Sequence, residues 1–189
     1  MRVELTGRRK ERENLLIQVA RASGQNIAKC YQCGKCTAGC PVAVEMDIPP
    51  HQVMRLLQLG LKDEVLDSSA IWLCASCATC TARCPRDIDI AAVMDALRAR
   101  AGREGRTRSA KTIALFHDIF LNAIQKHGRV FELGLAINYN LKTGNLFKDA
   151  DLGRVYFTRG KIGLKAPKIK GGDEVRRIFQ KVKQMEAGE

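Results

Sequence analysis

Apolar residues recur at three- and four-residue intervals through most of the chain, the period of a helix with one buried face. Leu15, Leu16, Val19 and Ala22 set such a stripe over 11–23, and Gly24 stands where that helix would stop. After Pro49-Pro50, residues Val53, Met54, Leu56, Leu57 and Leu59 predict a short helix ended by Gly60, and 62–73 continues the period. Asp89 is placed to cap a helix burying Ile90, Val93, Met94 and Leu97, with Gly102 at its end. Ser109 is expected to do the same for a helix through Lys126, with Ile113, Phe116, Ile119, Phe120, Ala123 and Ile124 on one face. A further segment over 130–141 repeats the pattern, and Asp173 is expected to cap a last helix carrying Val175, Ile178, Phe179, Val182 and Met185. Only 154–164 suggests a short hairpin, so the expected fold class is all-α.

Length and composition narrow the class. The chain has 189 residues, 46% hydrophobic and 28% charged, which is ordinary globular usage and argues against disorder. No stretch approaches the roughly 18 apolar residues of a membrane helix, and the first residues, MRVELTGRRKEREN, spread charges where a secretory leader would be apolar. A reducing cytoplasm is the expected location. The formal charge is +12, and most of the excess lies beyond residue 102.

The chemistry is carried by the cysteines. All eight fall between positions 30 and 84. CYQCGKCTAGCP supplies Cys30, Cys33, Cys36 and Cys40 before Pro41, and CASCATCTARCP supplies Cys74, Cys77, Cys80 and Cys84 before Pro85. Both runs are C-x2-C-x2-C-x3-C-P, and every cysteine recurs at an offset of 44, an internal repeat with no thiol left over. Three thiolates at three-residue spacing can wrap one corner of an iron-sulfur cubane, whose fourth iron then needs a ligand from elsewhere. In two-cluster ferredoxins the cysteine before the proline ligates the other cluster. Cys30, Cys33, Cys36 and Cys84 are therefore assigned to one 4Fe-4S cluster, and Cys74, Cys77, Cys80 and Cys40 to a second. Gly34, Ala38, Gly39, Ala75, Ala78 and Ala82 read as small so that the loops do not crowd the inorganic core, and Val42, Val44, Ile48, Trp72, Leu73, Ile88 and Ile90 as its apolar shell.

Other readings explain less. Zinc takes four ligands per ion and accounts for neither the third in-phase cysteine nor the repeated Cys-Pro. Disulfides fit neither the compartment nor the regular repeat. His51, His117 and His127 lack partners at ligand spacing and read as surface or packing residues. A metal-containing nucleic-acid-binding module would use the basic tail, but with aromatics at 5% the residues that would stack on bases are scarce. No nucleic-acid partner is expected. With no spare thiol and no acid-base pair the chain offers no catalytic residue, so electron relay is the expected activity.

The two cysteine runs, their helical connector and the helical tail resemble the C subunit of heterodisulfide reductase from methanogenic archaea, most strongly over 25–102. The cysteine pattern is shared with iron-sulfur subunits of other flavin-dependent dehydrogenases and quinone-linked complexes, which stand as the alternative. The resemblance implies an α-helical ferredoxin-like dicluster module over 1-102, followed by a basic, mainly helical extension over 103-189 for packing and subunit docking. It further implies a flavin-containing, electron-bifurcating A subunit that holds FAD, and a catalytic B subunit that reduces the coenzyme M-coenzyme B heterodisulfide. A hydrogenase or formate dehydrogenase would feed the A subunit, and this chain itself would have no direct membrane span.

Overall fold

The computed structural model describes residues 9–145, 150–161, 163, 166 and 169–187. All regular structure among them is helical. The chain divides into two compact units, Met1–Lys111 and Thr112–Glu189.

Among the described residues the first unit holds seven helices: α1 (Arg9–Ser23), α2 (Lys35–Ala38), α3 (Pro50–Leu59), α4 (Lys62–Leu66), α5 (Ala70–Leu73), α6 (Thr79–Ala82) and α7 (Ile90–Arg103). Helix α1 ends at Gly24 and α3 at Gly60, both at positive φ, where glycine carries no Cβ penalty. Pro50 opens α3, where its missing N–H is harmless. Asp89 caps α7 as expected, accepting the Ala92 N–H at 3.0 Å. Helix α7 runs one residue past Gly102, and the positive φ that follows belongs to Gly105.

The connector is helical but not continuous. It breaks at 67–69 because the carboxylate of Asp47 accepts the N–H groups of Ser69 and Ala70, at 2.8 and 2.9 Å, and so starts α5 afresh. Helix α1 packs on α3 and α7, α2 on α3 and α6, and α7 also meets α4, α5 and α6. Leu15, Val19, Ile27, Val53, Met54, Leu57, Leu66, Ile71, Ile88, Val93, Met94 and Leu97 are buried between them. Each such large side chain contributes about 1.5–3 kcal/mol by leaving water. At the rim, Glu104 receives Lys62 at 2.9 Å and Arg100 at 2.6 Å, while Arg106 reaches Asp63 and Asp67 at 2.7 and 3.0 Å, tying α4 to the end of α7.

The second unit holds α8 (Lys111–His127), α9 (Glu132–Thr143), α10 (Ala150–Thr158) and α11 (Gly172–Ala187). Ser109 is not the cap of α8, since it lies inside a 3-10 turn, Arg108–Ala110, that runs into the helix. The hairpin expected over 154–164 does not form where the chain is described: its first arm belongs to α10, and Ile162 and Leu164 of the second arm lie outside the described residues. Helices α8 and α9 meet through Phe116 and Tyr139, whose rings cross edge-on at 5.8 Å. On α8 only Ala114 and Ile119 are buried, a narrower face than the sequence stripe implies.

Candidate metal centre

The two cysteine runs fold alike. Helices α2 and α6 span matching residues at the offset of 44, and each is preceded by a loop with two left-handed residues, Gln32 and Gly34 in the first run and Ser76 and Ala78 in the second. In each run the N–H of the fourth cysteine returns to the threonine three residues earlier, Cys40 to Thr37 and Cys84 to Thr81, both at 3.1 Å. That threonine then grips the next long helix: Thr37 Oγ1 accepts the His51 N–H at 3.1 Å, and Thr81 Oγ1 accepts the Ala91 N–H at 3.4 Å.

The repeat continues into those helices at a shorter offset. Ile48, Val53, Met54 and Leu57 match Ile88, Val93, Met94 and Leu97 at a spacing of 40. In the first half, Gln58 Nε2 donates to the carbonyls of Ile27 and Cys30, at 3.2 and 2.8 Å. In the second, Arg98 donates from Nε to Ile71 O at 2.9 Å and from Nη2 to Cys74 O at 2.7 Å. These are equivalent carbonyls held by equivalent helix positions. One four-residue contraction between motif and helix separates the offsets, and that contraction hides the equivalence from any reading at a single spacing.

The thiols gather across the repeat. Cys40, from the first run, lines one cavity with Cys74, Cys77 and Cys80 from the second, walled by Ala75, Ala78, Met46, Pro50 and Met94. The other four are related by pairs. Burial pushes the Cys36 thiol up, against hydrogen bonds from Thr37 that pull it down, with Cys30 close enough to raise it further. The Tyr31 phenol, although exposed, is raised first by lost hydration and then by Cys33, with Arg86 opposing and Cys84 of the other run adding a smaller rise. Burial also raises Cys80, opposed by Thr81, with Cys74 and Cys36 adding to the rise. Cys77 goes the other way, lowered by hydrogen bonds from the Thr79 hydroxyl and backbone. Among the described residues no three His, Cys, Asp or Glu side chains are drawn in tightly enough to hold a lone metal ion.

Of the expected apolar shell, Trp72, Ile88 and Ile90 are buried and Val42 lines the cavity, but Val44 is 90% exposed and shields nothing. Two of the small loop residues have a further cause within the chain: Gly34 has a φ of 75°, and at Gly39 a Cβ would strike the Arg83 side chain. His51 is more than packing, because its Nδ1 lies 2.8 Å from Thr37 Oγ1. Gln58, Arg98, Thr37, Thr81 and Asp47 escaped the sequence reading, although the shared Ile-x4-Val-Met-x2-Leu pattern was there to reveal the first two.

Residues 29–89 match the family described as the 4Fe-4S dicluster domain. Over those residues the chain is thus a 4Fe-4S dicluster domain with two 4Fe-4S clusters as its cofactors, a group whose thiolate donors and small-walled cavity are present in the fold just described. Among curated proteins it is 40% identical over 92 residues to the iron-sulfur C subunit of the CoB--CoM heterodisulfide reductase of Methanopyrus kandleri, covering 48% of each chain. It is 35% identical over 88 residues to the C subunit of the H(2):CoB-CoM heterodisulfide,ferredoxin reductase of Methanothermobacter thermautotrophicus, covering 47% of this chain and 48% of that one. With an iron-sulfur C subunit of the CoB--CoM heterodisulfide reductase of Methanocaldococcus jannaschii the identity is 35% over 110 residues, 58% and 59% of the two chains. The chain spans about half the length of the curated relatives it matches. Over that half the chain is similar to C subunits of heterodisulfide reductase.

Proposed function

We propose that the chain is the relay between a flavin-containing A subunit and a catalytic B subunit that reduces the coenzyme M-coenzyme B heterodisulfide, in a cytoplasmic, electron-bifurcating complex fed by hydrogenase or formate dehydrogenase. The names of the relatives support the heterodisulfide, and one of them couples it to hydrogen and ferredoxin. Residues 1-102 would form the dicluster module and 103-189 the extension that docks on other subunits. No helix among the described residues is long and apolar enough to cross a membrane.

Cys30, Cys33, Cys36 and Cys84 would hold one cluster, and Cys74, Cys77, Cys80 and Cys40 the other. The observation that carries this wiring is the cavity Cys40 shares with the three cysteines of the opposite run. Bound 4Fe-4S clusters supply one-electron redox chemistry. The chain's own part is to place the two sets side by side, exclude water with Ile88, Ile90 and Met94, and hold the loops through Thr37 and Thr81.

Anaerobically purified protein should contain about eight irons and as many acid-labile sulfides per chain. Replacing Cys40 with Ser should alter the spectrum of the cluster held by the second run and leave the other unchanged. Zinc in place of iron, or damage confined to the cluster of the first run, would overturn the assignment.

A further inference from the structure

The duplicated clamp on the first cysteine of each run differs in charge between the halves: the half-buried Arg98 stands where the first half has Gln58, while the exposed neighbours run the other way, Arg55 meeting Gln58 Oε1 at 3.3 Å where Asp95 meets Arg98. Gln58 and Arg98 sit at matching positions on α3 and α7 and hold matching carbonyls, those of Ile27 and Cys30 and of Ile71 and Cys74. Mechanically either side chain suffices, since one amide nitrogen makes both bonds in the first half. The guanidinium therefore adds something other than support. Its side chain is 20% exposed and touches the peptide of Cys74, so its charge acts on the adjacent thiolates through little water. Asp95 meets Arg98 Nη1 at 3.1 Å and accepts the Ser76 hydroxyl at 2.9 Å, so its charge opposes Arg98 beside the same run, but at 52% exposure water screens it more than it screens Arg98. Asp89, 2.7 Å from the Thr81 hydroxyl, opposes Arg98 in the same half.

We propose that Arg98 is a tuning residue whose positive charge, absent from the equivalent Gln58, selectively raises the reduction potential of the cluster held by Cys40, Cys74, Cys77 and Cys80. Accepting an electron makes a cluster more negative, so a fixed cation at its edge favours the reduced form, and charge and hydrogen bonding are established determinants of such potentials. This inference rests on the ligand assignment proposed above.

The test is a redox titration of the full chain followed by low-temperature EPR, with Cys77→Ser used to identify which signal belongs to the second set. Arg98→Gln copies the clamp the fold already uses in its first half. It should lower that cluster's midpoint so that the reduced-to-oxidised ratio at a fixed ambient potential drops about tenfold, or about 59 mV for one electron, with the other midpoint unmoved. Arg98→Lys should keep most of the native value. Gln58→Arg should raise the other cluster's midpoint, and it decides the matter should Arg98→Gln lose iron. Two intact clusters with neither midpoint displaced, or both displaced together, would overturn the role of Arg98 while leaving the ligand assignment standing. Should Cys77→Ser alone disturb both signals or neither, the assignment itself would fall, and this inference with it.

Discussion

Gly34 and Ala78 occupy the same place in the two runs, two residues before the third cysteine, with φ of 75° and 58°. Glycine adopts that conformation freely, whereas a residue with a Cβ is penalised by about 1–2 kcal/mol. No protein atom lies within 4 Å of where a Cβ at Gly34 would sit, so as far as the chain itself is concerned the effect of substitution there is one of backbone. Gly34→Ala should therefore lower the stability of the holoprotein by about 1 kcal/mol, and Ala78→Gly should raise it, read as opposite shifts of the urea midpoint under argon. A loss of stability in Ala78→Gly matching that in Gly34→Ala would mean that the two loops are not conformational twins. Residue-level reading of the sequence found the cysteines because their spacing is itself the chemical signal. It did not show what else holds Gly34 and Gly39 small, because sequence shows that a residue is small without showing whether a torsion or a neighbour also demands it.

At the scale of elements, the caps set where helices start. The Asp89 carboxylate is held below its usual range by the Ala92 N–H and then by the Thr81 hydroxyl, so one side chain fixes both the start of α7 and its attachment to the second cysteine run. Asp89→Ala should cost about 1 kcal/mol, and Asp89→Asn should recover much of it. Because the folded value is depressed, this stabilisation is complete above the unfolded pKa of about 3.9 and fades only as pH falls through the lower folded value. The difference between wild type and Asp89→Ala should thus stay flat from pH 8 to pH 5; a steady change across that window would assign the effect to another group. Periodicity revealed α1, α3, α7 and α11 because their apolar stripes and Gly or Asp ends are local. The break between α4 and α5 was not readable, since it depends on Asp47, 22 residues away from Ser69. The hairpin failed for the converse reason: alternation over 154–164 was brief, and the helical face of Leu152, Val155 and Tyr156 fits the same residues.

Across the whole molecule, burial is unevenly shared. Nearly all the buried apolar side chains belong to the first unit, while in the second only Ala114 and Ile119 are buried among the described residues. Ile178, Val182 and Met185 of α11 are 62%, 47% and 64% exposed. Elements with few buried contacts open at low free-energy cost. Amide hydrogen exchange on the isolated chain should accordingly be slowest in α3 and α7 and faster by orders of magnitude in α10 and α11. Protection of α11 equal to that of α7 would show that its apolar face is covered.

Cys33 and Cys77, the second cysteine of each run, are the two exposed thiols of the eight, whereas Cys36 is buried. A shuttle that collects and delivers charge through one contact needs a single open edge. This fold repeats its opening along with everything else, and the relay proposed above would therefore have the form of a conductor with two terminals, wired to a source and a sink at once.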